Sequence, residues 1–238
     1  MIKIIYLDED IIVCIKPSGA LSTDEPGGMP YLLREQLNSP KMELYTVHRL
    51  DRVASGLIVY ARNSKSASII SKEITEHKFK KEYLAVVHGK PDSNSGRYDD
   101  LLFRDTSKNM TFVVNRMRKG VREASLEYEV LESTEDLSLV KINLLTGRTH
   151  QIRVQFSSRQ MPLAGDKKYG AAADKCAIAL WSHCLEFTHP NSNKKMLFCE
   201  LPGAFEPWIY FDKYITERTS DEIELSDRKN FRESLIGE

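Results

Sequence analysis

Residues 48–61 read His-Arg-Leu-Asp-Arg-Val-Ala-Ser-Gly-Leu-Ile-Val-Tyr-Ala, a dense charged segment that runs through a Ser-Gly turn into an unbroken apolar run. The apolar half is rich in strand-forming residues, and an uninterrupted run of this kind predicts a buried strand. Asn63 and Ser64 follow as candidate caps for a helix reaching about Glu76, with Ala67, Ile70 and Ile74 on one face. The charged half places Asp51 between Arg49 and Arg52 at the mouth of the strand. Read alone, Asp51 is either an ion-pair partner in a solvated turn or an ionised carboxylate ready to act as nucleophile or base.

Working outward, Ile2–Ile15 holds two short apolar runs split by Asp8, Glu9 and Asp10, the pattern of a hairpin. A short helix is expected over Tyr31–Leu37, opening near Pro30. Strands are expected at 82–88, 113–114, 125–131 and 139–145, a helix over Thr149–Arg159, and a closing strand pair at 180–188 and 195–201 joined through Pro190 and Asn191. Strands outnumber helices without regular alternation, which predicts an α+β fold with a mixed, largely antiparallel sheet and flanking helices. The expected division is a main domain over 1–210 and a polar, acidic tail or helix over 211–238.

The 238 residues are 41% hydrophobic and 29% charged, an ordinary globular composition. The first residues lack the roughly 7–15-residue apolar core of a signal peptide. No apolar run approaches the ~18 residues of a membrane helix, so a cytoplasmic protein with no membrane partner is expected. Cys14, Cys176, Cys184 and Cys199 form no Cys-x-x-Cys pair and no zinc-finger spacing, so neither disulfides nor a metal site is expected and no cofactor is assigned. Formal charge is zero, but it is unevenly spread. Residues 104–122 carry six Lys and Arg against Asp105 alone, and residues 62–81 carry six against Glu73 and Glu76. Such tracts are solvated faces or phosphate contacts.

A second cluster, Gly-Arg-Thr-His-Gln-Ile-Arg-Val at 147–154, sets Arg148 and Arg153 on either side of a helix entrance that Thr149 could cap. It is either an ordinary amphipathic helix or an anion-binding entrance.

Together, HRLDRVASGL at 48–57, GRTHQIRV at 147–154 and PLAGDKKYG at 162–170 resemble the RluA-type family of RNA pseudouridine synthases; KPSGALS at 16–22 and KKEYLAVVHG at 80–89 fall in the family's order. The resemblance spans about Ile4–Pro202. It implies the pseudouridine synthase fold with a central RNA-binding cleft, and isomerisation of uridine to pseudouridine in transfer or ribosomal RNA by a monomer without cofactor. Asp51 matches the family's catalytic aspartate, Tyr83 the tyrosine that stacks on the target base and is a candidate for taking the C5 proton, and Arg153 the arginine that pairs with the aspartate. Arg49 matches the arginine that enters the RNA where the uridine leaves. His48, Arg148, Gln151 and Lys80 are the further candidate substrate contacts. Ala54 and Gln155 depart from the Thr and His of many relatives, which puts substrate detail in doubt. The chain is expected to start directly with the catalytic domain. The competing readings are an RNA-binding module without catalysis and an unrelated hydrolase with Asp51 as nucleophile, which would need a second carboxylate or a His base nearby.

Overall fold

The computed structural model describes residues 1–211, 214 and 215. In chain order the elements are β1 (Ile4–Leu7), β2 (Ile11–Lys16), α1 (Met29–Gln36), β3 (Tyr45–Thr46), β4 (Ser55–Ala61), α2 (Ser64–Thr75), β5 (Lys80–His88), β6 (Ser95–Asp105), β7 (Met110–Val114), β8 (Val121–Ser133), β9 (Leu137–Leu144), α3 (Gln151–Ser157), β10 (Leu180–Thr188) and β11 (Lys195–Cys199), closed by a 3-10 turn at Trp208–Phe211. The strands form one sheet in the order β1-β2-β4-β10-β5-β9-β8-β6-β7, with β3 beside β4 and β11 beside β10. Among the described strands, β4 with β10 is the parallel pair and the rest are antiparallel, as the α+β reading requires.

The central strands are apolar throughout because both of their faces are covered. Ile12 and Cys14 of β2 with Ile58 and Tyr60 of β4 pack under Met29 and Leu33 of α1 and Ile152 and Phe156 of α3. Their alternate neighbours Ile11, Val13, Leu57 and Val59 pack on the other face with Ile70 of α2. That split is the period-2 alternation of strands written in contacts. The α2 helix starts as expected, Asn63 accepting from the Ser66 N–H at 2.8 Å, and its Ala67 and Ile74 flank Ile70 against the core. Strand β6 is not expected from the sequence. Its residues SGRYDDLLFRD bury only Tyr98 and Leu102, so no clean alternation marks it.

Among the described residues no helix is long and apolar enough to cross a membrane. Of the expected tail, Phe211 and Ile215 are buried with Trp208, and residues 212–213 and 216–238 lie outside the described residues. The cysteine expectation needs correction. Cys184 and Cys199 are paired across β10 and β11 and are joined in a disulfide. Their separation of 15 residues fits no motif; antiparallel register brings them together.

Candidate active site

Asp51 sits in the loop between β3 and β4, and residues 16–22 clamp that loop from both sides. Before it, the Ser22 hydroxyl donates to the Leu50 carbonyl at 3.0 Å and accepts the Leu50 N–H at 3.0 Å. After it, the buried Lys16 ammonium donates to the carbonyls of Pro17, Ala20 and Arg52 at 3.0, 2.9 and 3.1 Å. Gly19 N–H donates to the Arg52 carbonyl at 2.8 Å and Ser18 Oγ to that of Val53 at 2.8 Å. The Ala54 N–H closes a turn on the Asp51 carbonyl at 3.0 Å. Gly56 then lets β4 approach β10: its φ is +109°, and a Cβ there would lie 2.4 Å from the Ser182 carbonyl oxygen. The KPSGALS segment therefore builds the frame of the Asp51 loop.

The guanidinium that reaches Asp51 comes from 102 residues away. Arg153 on α3 places Nη1 3.2 Å from Asp51 Oδ2. Its Nε and Nη2 donate to Asp166 at 2.7 and 2.8 Å, a bidentate pair with both side chains buried. Asp166 is held by its own turn, accepting the N–H groups of Lys168 and Tyr169 at 3.2 and 3.3 Å. Gly165 precedes it at φ +75°, where a Cβ would meet the Ala177 carbonyl oxygen at 2.4 Å. The sequence neighbour Arg52 is engaged elsewhere, its Nε donating to the Gly19 carbonyl at 2.9 Å. Asp166 was not among the expected site residues, and its only signal in the sequence was its place inside PLAGDKKYG.

Asp51, Tyr83 and Arg153 line one cleft of about 1310 Å³, together with Arg49, Lys80 and Arg148. Eight Lys and Arg face it against two acids, Asp51 and Glu127, so a chain of zero net charge carries a strongly cationic groove. Tyr83 comes from the middle of β5, paired with Ser182 on one side and Ile142 on the other, and is 5% exposed. Burial, with Asp51 adding to it, pushes its phenol upward, so Tyr83 rests protonated. Arg49 and Arg148 are exposed, with Arg148 Nε donating to the Glu123 carbonyl at 2.9 Å. Lys80 is exposed and pairs with Glu186 at 3.0 Å.

Two expected substrate contacts are buried at the cleft. His48 lies at the cleft wall but is buried, tilted against Phe79, and its Nε2 accepts the Val59 N–H at 3.1 Å. Burial pushes its imidazole down to about 3, the form that this acceptor role requires. Gln151 is also buried and engages its amide internally: Oε1 accepts from Arg148 N–H at 3.0 Å and Thr146 Oγ1 at 2.7 Å, and Nε2 donates to the Ser125 carbonyl at 3.0 Å. Both hold the walls of the cleft.

The helix entrance at 147–151 also differs from expectation. The helix starts at Gln151, and its cap is His150 at φ +57°, without a side-chain cap bond. Thr149 instead accepts at its carbonyl from Thr111 Oγ1 at 2.9 Å. The Gln151 N–H donates to the Arg148 carbonyl at 3.1 Å, so it is not free for an anion. His150, a cleft residue that the sequence reading passed over, has Nδ1 2.8 Å from the Tyr169 hydroxyl. Gln155 is fully buried and donates to Asp100 at 2.8 Å, so this departure from the family pattern lies in the interior and not at the cleft.

A family model described as RNA pseudouridylate synthase matches residues 10–158. The chain is 33% identical over 202 residues to an uncharacterized RNA pseudouridine synthase of Mycoplasma pneumoniae, covering 83% of this chain and 65% of that protein. It is 30% identical over 240 residues to ribosomal large subunit pseudouridine synthase D of Borreliella burgdorferi, covering 94% of this chain and 71% of that one. The chain thus spans about two thirds of the length of these relatives. The solved human RNA pseudouridylate synthase domain containing 4 has the same fold, with a TM-score of 0.70 at 23% identity over 84% of this chain and 88% of that one.

Proposed function

This chain belongs to the RNA pseudouridylate synthase family of isomerases, and from that premise we propose that it isomerises a specific uridine in structured RNA with Asp51 as its catalytic residue. The observation that carries the assignment is the contact from Arg153 Nη1 to Asp51 Oδ2, 3.2 Å long, in a cationic cleft that also holds Tyr83.

A uridine stacked in RNA hides its glycosidic bond, and extruding it costs a few kcal/mol. Arg49, exposed at the cleft, takes the vacated place in the RNA. Tyr83 offers the flipped pyrimidine an aromatic face, worth ~1–3 kcal/mol. Asp51 acts on the ribose or the base ring to release the base. The C1′–N1 bond breaks, the base turns, C1′ bonds to C5, and the C5 proton leaves as N1 gains one. Tyr83 is placed to take that C5 proton only if its own phenolic proton moves on in the same step, since the phenol rests protonated. The reaction is redox neutral and balances without a further reactant, so the proposal includes no cofactor. Arg153, fixed by Asp166, holds the Asp51 carboxylate aimed into the cleft while bound RNA excludes water.

The proposal extends to a monomeric, cytoplasmic protein with a catalytic domain over about 1–210 and a polar stretch after it, Phe211 itself packing with Trp208 in the core. The substrate is ribosomal or transfer RNA. The name of the Borreliella relative makes large-subunit ribosomal RNA the first place to look. Mapping pseudouridines in total RNA from cells with and without the gene tests the reading: one position should disappear with the gene. No lost position in any RNA would favour an RNA-binding module without catalysis.

A further inference from the structure

On the sheet face away from Tyr83, side chains of three neighbouring strands converge. In the registers of β5, β10 and β11, Glu82 lies opposite Cys184 and Cys184 opposite Cys199, so the three form one cross-strand row. Successive residues of a regular strand point to opposite faces, and His183 should turn away from its neighbour Cys184. A β-bulge prevents this. Ser182 pairs with Tyr83 and Cys184 with Glu82, which leaves His183 as the extra residue and turns its side chain to the same face. Donor atoms of Glu82, His183 and Cys184 all lie within 4.8 Å of one another.

His183 is prepared for a ligand. Its ring is buried, and Nδ1 lies 2.9 Å from the Glu200 carbonyl, which can only accept, so Nδ1 carries the proton. Nε2 faces Glu82, 3.8 Å from its Oε1. A metal-ligating histidine is held in this way, the far N–H fixed by a backbone carbonyl. The Cys184–Cys199 disulfide uses the two sulfurs but gives no role to His183 Nε2 or to the Glu82 carboxylate grouped with Cys184.

We propose that the reduced hairpin is a Zn²⁺ site with Cys184, Cys199, His183 Nε2 and Glu82 as its four ligands, and that the disulfide is the metal-free, oxidised form of the same site. Two thiolates, an imidazole and a carboxylate are a donor set suited to Zn²⁺ in tetrahedral geometry. With Zn–S bonds of ~2.3 Å, two thiolates of a tetrahedral site stand ~3.7 Å apart, a separation the sulfurs reach by side-chain rotation once their bond opens. Reduction by a water-soluble phosphine balances: phosphorus gives two electrons and takes the oxygen of one water, whose two protons go to the sulfurs. Zn²⁺ binding then releases both thiol protons to solvent.

The test uses the full chain, reduced with that phosphine and titrated with Co²⁺ as a spectroscopic probe and then with Zn²⁺. One Co²⁺ per chain should bind with a thiolate-to-cobalt charge-transfer band, and Zn²⁺ should displace it. Protein held in the disulfide form should show no such band. Cys199→Ser alters an exposed position outside the cleft; it should keep the fold and RNA isomerisation, lose about half of the band's intensity at saturation and bind Zn²⁺ at least tenfold more weakly. His183→Gln should weaken Zn²⁺ binding to a similar extent. Reduced wild-type protein that binds no stoichiometric metal, or Cys199→Ser that binds Zn²⁺ as tightly as wild type, would overturn the proposal.

Discussion

Arg153 gives Nε and Nη2 to the two carboxylate oxygens of Asp166 and keeps Nη1 for Asp51, at 2.7, 2.8 and 3.2 Å. One guanidinium thus joins a fully buried acid to one that faces a cleft, and the buried acid decides where the third nitrogen points. Arg153 also lies over the Tyr169 ring at 5.0 Å, which fixes its plane. A lysine could not reproduce this fork.

Removing one partner of a buried charge pair strands the other, at a cost of ~3–5 kcal/mol. Asp166→Ala should therefore lower the unfolding free energy by about that amount in urea denaturation, whereas Asp51→Ala, at the half-buried end of the same arginine, should cost much less. Equal losses in the two variants would contradict the division of labour between these acids.

His48 should behave as a buried neutral acceptor. Its folded pKa of about 3 lies below the ordinary ~6.5, so the unfolded chain binds more protons between these values. The stability at stake is fully present above pH ~6.5 and is lost as pH falls toward 3, by at most ~1.4 kcal/mol per pH unit. An NMR titration of the folded protein should find His48 unprotonated down to pH 5. A midpoint near 6.5 would restore His48 as a solvent-facing group.

Tyr83 separates stacking from proton transfer. Tyr83→Phe keeps the ring and should bind RNA within about threefold of wild type while isomerising more slowly. Tyr83→Ala should weaken binding by ~1–3 kcal/mol as measured by filter binding. Equal binding by both variants would remove the aromatic platform from the account.

Phosphate contacts predict a salt signature. Affinity should fall linearly on a log–log plot against salt, and Arg148→Ala and Lys80→Ala should each reduce the slope by about one. The Lys80–Glu186 pair is exposed and worth little, so it leaves Lys80 free to exchange partners. An unchanged slope in either variant would exclude that residue from the phosphate path.

Local patterns in the sequence made the central sheet legible. The run Leu57–Ala61, the Asn63 cap and the Ile70 face are local, and each appears where it was expected. What stayed hidden depends on contacts distant in sequence. Asp166 reads as an ordinary loop acid until α3 brings Arg153 against it, and Lys16 as an exposed charge until three carbonyls surround it. His48 and Gln151 carry polar atoms suited to RNA, but burial had already committed them to Val59 and Ser125. Cys184 and Cys199 meet only through hairpin register.

Asp51→Asn tests the central claim most directly, because it removes the carboxylate's charge with almost no change of shape. In cells lacking the gene, pseudouridine mapping of total RNA after complementation should show the lost position restored by the wild-type chain and still absent with Asp51→Asn, although the variant folds and binds RNA. Full restoration of that position by Asp51→Asn would contradict the assignment of Asp51 as the catalytic residue.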